Sequence, residues 1–217
     1  MSENREQVFE NEEFQVLLRK YEDMRSGSQS IFFDVEEFEQ IIDYYLDDFQ
    51  YDEAREAADL GKKQHPASVE IKYKFIHIYI EQGQPKKALA LLEEIPVWEE
   101  NNPERYFLKG TALCLTGKLK EAEAQFDRGL ELSGDDTFEA LINISIAFEN
   151  VRHFEQAIKY LSQAFHQFPE NPPMEITSSS GWGEKTRILL PDGSLLFPRI
   201  LAMRRLKTSP FTASADS

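Results

Sequence analysis

The chain has one cysteine in 217 residues, so no internal disulfide can form. That residue, Cys114, falls on a helical stripe and reads as a small apolar side chain rather than a reactive thiol. No stretch approaches the roughly 20 consecutive apolar residues that span a bilayer, and the opening MSENREQVFENEEF lacks the basic and apolar regions of a secretory signal. The expectation is a soluble, cytoplasmic protein. Excess positive charge is also missing: the formal net charge is −15, which would repel nucleic-acid phosphates and anionic membrane surfaces. The four histidines, His65, His77, His153 and His166, show no i, i+4 pairing and no neighbouring cysteine, which excludes the usual zinc spacings. Acidic runs such as Asp47-Asp48, Glu93-Glu94 and Asp135-Asp136 lack the alternating oxygens and central glycine of a calcium loop. No nucleophile motif and no glycine-rich phosphate loop occurs. The reading is non-enzymatic, with neither cofactor nor metal.

What is present is a period. Ala54, Ala88, Ala122 and Ala157 recur at separations of 34, 34 and 35 residues, with matched apolar positions around each. They divide the chain into units 35–68, 69–102, 103–137 and 138–171. Each unit opens with apolar residues three and four apart: Phe38, Ile41, Ile42 and Tyr45; Ile71, Phe75, Ile78 and Tyr79; Tyr106, Phe107, Gly110 and Leu113; Leu141, Ile144, Ala147 and Phe148. Each second half repeats the pattern, as in Ala88, Leu91, Leu92 and Ile95. Every unit therefore reads as a helical hairpin with one apolar seam. Asp34 before Val-Glu-Glu37 has the form of a capping box, and Pro103 after Asn102 suits a first helical turn. Gly83 and Gly117 can take the left-handed conformation after a helix end, whereas Phe49 and Arg152 stand at the matching places in the outer units.

These residues resemble the tetratricopeptide repeat family. The third unit has Tyr106, Gly110, Leu113, Gly117, Ala122, Phe126 and Gly129 in the family's order, and the fourth has Leu141, Ser145, Phe148, Ala157, Leu161, Ala164 and Pro169. The resemblance implies an all-α fold: a right-handed α-solenoid of four such hairpins that binds a peptide or protein in its concave groove. Carried over from the family's groove positions, the partner-binding residues are Glu39, Asp43, Glu70, Tyr73, His77, Ile80, Glu104, Phe107, Thr111, Ile142, Ile146 and Glu149. This lining is acidic at the rim and apolar in the middle, which suits a basic or amphipathic segment with Tyr73 and Phe107 as anchors. The lysine and asparagine set with which chaperone-binding members hold a carboxylate is absent.

The ends differ from the repeats. Residues 6–25 carry Val8, Phe9, Phe14, Leu17, Leu18 and Tyr21 on a helical stripe, expected to cap the first unit, and a linker follows to residue 34. After Asn171 the period stops. Residues 172–217 hold six basic and four acidic side chains, a net of +2 that leaves −17 for the first 171 residues. Two short strands, 186–190 and 194–197, flank Pro191-Asp192-Gly193 in the pattern of a β-hairpin. Met174 to Ser194 resembles the opening of FecR-type anti-sigma regulators, in which Gly-Glu-Lys precedes a strand ending in Leu-Pro-Asp-Gly. The broken period and reversed charge mark this tail as an atypical replacement of later repeats. Two further readings follow: self-association through Phe154, Leu161, Phe165 and Phe168 of the last hairpin, or a regulatory fragment related to envelope signalling.

Overall fold

A computed structural model describes residues 12–27 and 31–168, together with the backbone of two short strands at 175–176 and 188–189. The FecR-like motif, the Pro191-Asp192-Gly193 turn and the strand expected at 194–197 lie largely or wholly outside these residues, as do Val8 and Phe9. The described residues contain nine α-helices: α1 (Glu12–Arg25), α2 (Val35–Asp47), α3 (Tyr51–Gln64), α4 (Val69–Glu81), α5 (Pro85–Leu92), α6 (Pro103–Leu115), α7 (Leu119–Leu132), α8 (Thr137–Asn150) and α9 (Phe154–Gln167). They stack as a helical solenoid of hairpins α2–α3, α4–α5, α6–α7 and α8–α9, each packed on the next. The two strands, β1 (Glu175–Ile176) and β2 (Ile188–Leu189), pair antiparallel with Glu175 opposite Leu189. Ile188 and Leu189, from the strand expected at 186–190, thus pair with 175–176; the expected partner strand 194–197 lies outside the described residues.

The four turns inside the hairpins share one geometry. Phe49, Gly83, Gly117 and Arg152 all have positive φ, at 59°, 67°, 79° and 64°. After each, the next N–H reaches back five residues: Gln50 to the Tyr45 carbonyl, Gln84 to Tyr79, Lys118 to Leu113 and His153 to Phe148, at 2.8, 2.7, 3.0 and 2.9 Å. This is the Schellman arrangement, which satisfies carbonyls that a helix end would leave bare. Helix starts are equally local. Asp34 accepts from the Glu37 N–H at 2.8 Å while the Glu37 carboxylate accepts from the Asp34 N–H at 2.9 Å, completing the capping box. Ser68 and Asn102 cap α4 and α6 with their side chains.

The repeated alanines sit at the tightest points, at 0, 0, 0 and 4% exposure for Ala54, Ala88, Ala122 and Ala157. Packing in the third hairpin is reciprocal. Gly110 on α6 leaves room for the Phe126 ring of α7, and Gly129 on α7 leaves room for the Phe107 ring of α6. The apolar interior forms three main clusters in series. The first joins α1, α2 and α3 to Ile71, Phe75 and Ile78 of α4. The second takes the other face of α4, Tyr73, Ile76 and Ile80, with Ala88, Leu92 and Ile95, and with Leu108 and Ala112 of α6. The third runs from Leu113 and Cys114 of α6 through α9.

The second hairpin departs from the others in one respect. Ile95 continues the apolar spacing of Ala88, Leu91 and Leu92, yet α5 stops at Leu92, because a residue preceding a proline, here Pro96, is driven out of the helical region. Ile95 nevertheless stays buried at 4% and closes the seam. A 3-10 turn, Val97–Asn101, fills the remaining space before α6.

Candidate functional site

Three first helices place charged residues on a common face. On α2, Glu39 and Asp43 lie one turn apart; on α4, Glu70, Lys74 and His77 follow the same i, i+4, i+7 line. The helices are tied together by these side chains. The Lys74 ammonium donates to both Asp43 carboxylate oxygens, at 2.8 and 2.9 Å, and stands 3.7 Å from a Glu39 oxygen. One position toward α6, His77 Nε2 lies 3.2 Å from a Glu104 carboxylate oxygen. Lys74 is the more enclosed member, with its side chain 14% exposed, while Asp43, His77 and Glu104 retain 36, 41 and 43%.

The carboxylates act on one another. Partial burial raises the Glu39 carboxyl above its ordinary value; Lys74 opposes this, while Asp43, Glu104 and Glu70 reinforce it. Glu104 goes the other way: burial works against its charge, but the His77 hydrogen bond, the His77 charge and Lys74 together hold it below the usual range. Glu70 is lowered by the Ser68 hydroxyl, which donates to it at 2.7 Å, and by backbone N–H groups. Glu39, Asp43, Glu70 and Glu104 outnumber Lys74 on this face, which therefore keeps a negative excess.

Glu39, Asp43, Glu70, His77 and Glu104 are therefore brought together on one accessible face. The apolar part of the expected site is placed differently. Tyr73, read from sequence as an anchor for a partner, is buried at 4%, with its hydroxyl donating to Glu99 at 3.4 Å, and Ile80 is buried at 9% in the same cluster. Phe107, the other expected anchor, turns its ring onto Gly129, where an added Cβ would lie 2.7 Å from Phe107 Cε1. Both rings fill space between helices: Tyr73 lies in the cluster shared with Leu108 and Ala112 of the following hairpin, and Phe107 lies in the seam with α7 of its own hairpin. The Thr111 hydroxyl is spent on the Phe107 carbonyl at 2.9 Å. On α8, Ile142 packs on the third cluster and on Leu161 and Phe165 of α9, Ile146 is half-buried and Glu149 is buried at 8%. Lys74 was not among the expected residues, since it stands one position beyond the family's groove position at Tyr73. Its i, i+4 relation to Glu70, legible in the sequence, is the signal that would have found it.

The face expected to self-associate is also largely covered. Leu161 and Phe165 are buried against Phe138 and Ile142, and the Phe138 ring meets Phe165 at 5.9 Å and Phe168 at 5.5 Å. Cys114 is buried at 2%, and burial foremost, with the Glu123 charge, pushes its thiol up to about 12. Among the described residues no group of three or more His, Cys, Asp or Glu could hold a metal ion. No helix among them is long and apolar enough to cross a membrane.

Residues 45–110 match a family model described as tetratricopeptide repeat. The crystal structure of MamA superposes with a TM-score of 0.51 at 16% identity, covering 72% of this chain and 90% of that one. YrrB, described as a TPR protein with an unusual peptide-binding site, gives a TM-score of 0.45 at 23% identity, covering 62% of this chain and 69% of that one. No curated protein matches the chain.

Proposed function

We propose that the chain is a non-enzymatic interaction scaffold of the tetratricopeptide repeat type, with units 35–68, 69–102, 103–137 and 138–171, that receives a basic or amphipathic protein segment on the face of α2, α4 and α6. The observation that carries this reading is the clamp on Lys74. A lysine ammonium is already held there by Asp43 and Glu39, with Glu70 and Glu104 acting on the same field and left with accessible carboxylates. A partner lysine or arginine entering beside it would meet the same carboxylate geometry, and charge-assisted bonds of this kind are the strong ones. The long-range negative field would speed encounter more than it would deepen affinity. Glu39, Asp43, Glu70, His77 and Glu104 remain as the polar contacts, with Thr111, Ile142 and Ile146 along the line toward α8.

The test is a fluorescence-anisotropy titration with a labelled amphipathic peptide that carries four lysines, and with a second peptide in which those lysines are glutamates. The lysine peptide is expected to bind, to weaken steeply with salt, and to lose about tenfold, or ~1.4 kcal/mol, against a Glu39→Gln/Glu104→Gln variant. Equal affinity for wild type and variant, or equal binding of the glutamate peptide, would overturn the reading.

A further inference from the structure

Val97 and Trp98 are 77 and 78% exposed, the largest exposures among the big apolar side chains of the described residues. They stand side by side on the Val97–Asn101 turn, where Pro96 has ended α5 early. The turn itself is firmly held. The Tyr106 hydroxyl donates to the Glu100 carbonyl at 2.8 Å, and the Asn102 amide donates to a Glu99 carboxylate oxygen at 2.9 Å. Tyr73 donates to that same Glu99 oxygen at 3.4 Å, and Arg105 reaches the Pro96 carbonyl at 3.5 Å. The backbone beneath the indole is thus fixed before anything binds, and a preordered aromatic is the kind of group that dominates interface energetics. Carboxylates outnumber cations around the pair: Glu93, Glu94, Glu99 and Glu100 flank it, against Lys109 at 3.0 Å from Glu93, Arg105 on the Pro96 carbonyl and Lys72 at 3.5 Å from the Glu94 carbonyl. The complementary occupant is cationic and carries apolar side chains. A second copy of the helical part of the chain fits badly, since the first 171 residues sum to −17.

We propose that this turn is the docking site for the chain's own basic segment, residues 199–207. Its sequence is Arg-Ile-Leu-Ala-Met-Arg-Arg-Leu-Lys, four cations and no acid, with Ile200, Leu201, Met203 and Leu206 as apolar partners for Val97 and Trp98. Arg199, Arg204, Arg205 and Lys207 can pair with the flanking carboxylates or stack on the indole face, a cation–π contact that is strongest for tryptophan. Reach is sufficient. Outside the β1–β2 pair and the residues it encloses, 169–174 and 190–198 separate Phe168 from the segment, a length whose maximum span is roughly 50 Å, against hairpin spacings of about 10 Å. Tethering also raises the local concentration of the segment to the order of millimolar, so a contact too weak to survive between separate molecules is populated within one. The tail thereby masks an interaction surface distinct from the α2–α4–α6 face, and neither assignment depends on the other.

Trp98 reports on the contact directly, because Trp182 is the only other tryptophan and can be removed. The full chain carrying Trp182→Phe is compared with the same chain carrying Arg199→Gln, Arg204→Gln, Arg205→Gln and Lys207→Gln, using acrylamide quenching of tryptophan emission. The expected result is a quenching constant at least twofold higher in the neutralised chain, independent of protein concentration, with 1 M salt raising the first toward the second. Adding a peptide of residues 196–208 at millimolar concentration to the neutralised chain is expected to restore protection. Equal quenching constants in the two chains would overturn the proposal, as would protection that grows with protein concentration, which would assign the surface to a second copy.

Discussion

A methyl group added at Gly110 would lie 2.4, 2.6 and 2.8 Å from three atoms of the Phe126 ring. Alanine is the better helix former by about 0.8–1 kcal/mol, so propensity alone would favour the change. The contact decides otherwise, because the ring cannot retreat: Phe126 is 1% exposed and packs edge-on against Phe148 at 5.5 Å and Tyr160 at 6.5 Å. Gly110→Ala is expected to cost about 1–3 kcal/mol, with the melting temperature falling about 2–4 °C for each kcal/mol. Phe126→Leu in the same chain should recover part of that loss, and thermal melts of the three variants check both statements. The small residues of this seam were legible from the sequence because their spacing repeats. Their partners were only half so. Phe107 was assigned to a binding surface when its ring closes over Gly129, since a period places a residue on a helix without saying which neighbour will claim it.

At the scale of elements, the hairpin turns form one class built from unlike residues. Gly83 and Gly117 enter the left-handed region freely, whereas a residue with a Cβ pays roughly 1–2 kcal/mol there. Arg152 is exposed, so its side chain gives little back. Arg152→Gly is expected to raise stability by about 1 kcal/mol, part of the gain being offset by the greater freedom of glycine in the unfolded chain. The measure is the guanidinium midpoint, which should rise with an unchanged slope. Phe49 offers a weaker case, because its ring meets Tyr51 edge-on at 6.3 Å. Helix identity and order were legible because apolar spacing and caps agreed, as at Asp34 and Glu37. The double role of α4 was not. Ile71, Phe75 and Ile78 form the stripe a sequence reader sees first, but Tyr73, Ile76 and Ile80 form a second, and only stacking of a following hairpin turns that second stripe inward. The early end of α5 had a local cause in Pro96, masked by an apolar Ile95 in perfect spacing.

Over the whole molecule, buried phenols couple the fold to alkaline pH. Burial, as the largest cause, raises Tyr21, Tyr73 and Tyr160 far above the ordinary tyrosine value, and Tyr51 up to about 12; nearby carboxylates such as Glu99, Asp127 and Glu81 add to the latter three. A raised folded-state value means the native chain holds the proton more tightly than the unfolded one. The corresponding stability is complete below the unfolded value near 10 and drains away as pH rises through the folded values. The chain is therefore expected to keep its helical signal to about pH 10 and lose it cooperatively above, with phenolate absorbance near 295 nm appearing together with unfolding for these four residues. Ionisation of all eight tyrosines while helicity stays constant would contradict that coupling.

The serial arrangement of the apolar clusters carries a mechanical meaning. The first and second clusters share α4, and the second and third share α6, so each hairpin leans on its neighbours and no central core locks all of them at once. Tension applied at the two ends would meet these seams one after another. Such a chain yields in instalments, like a zip, and recoils by re-docking each hairpin on the one still standing.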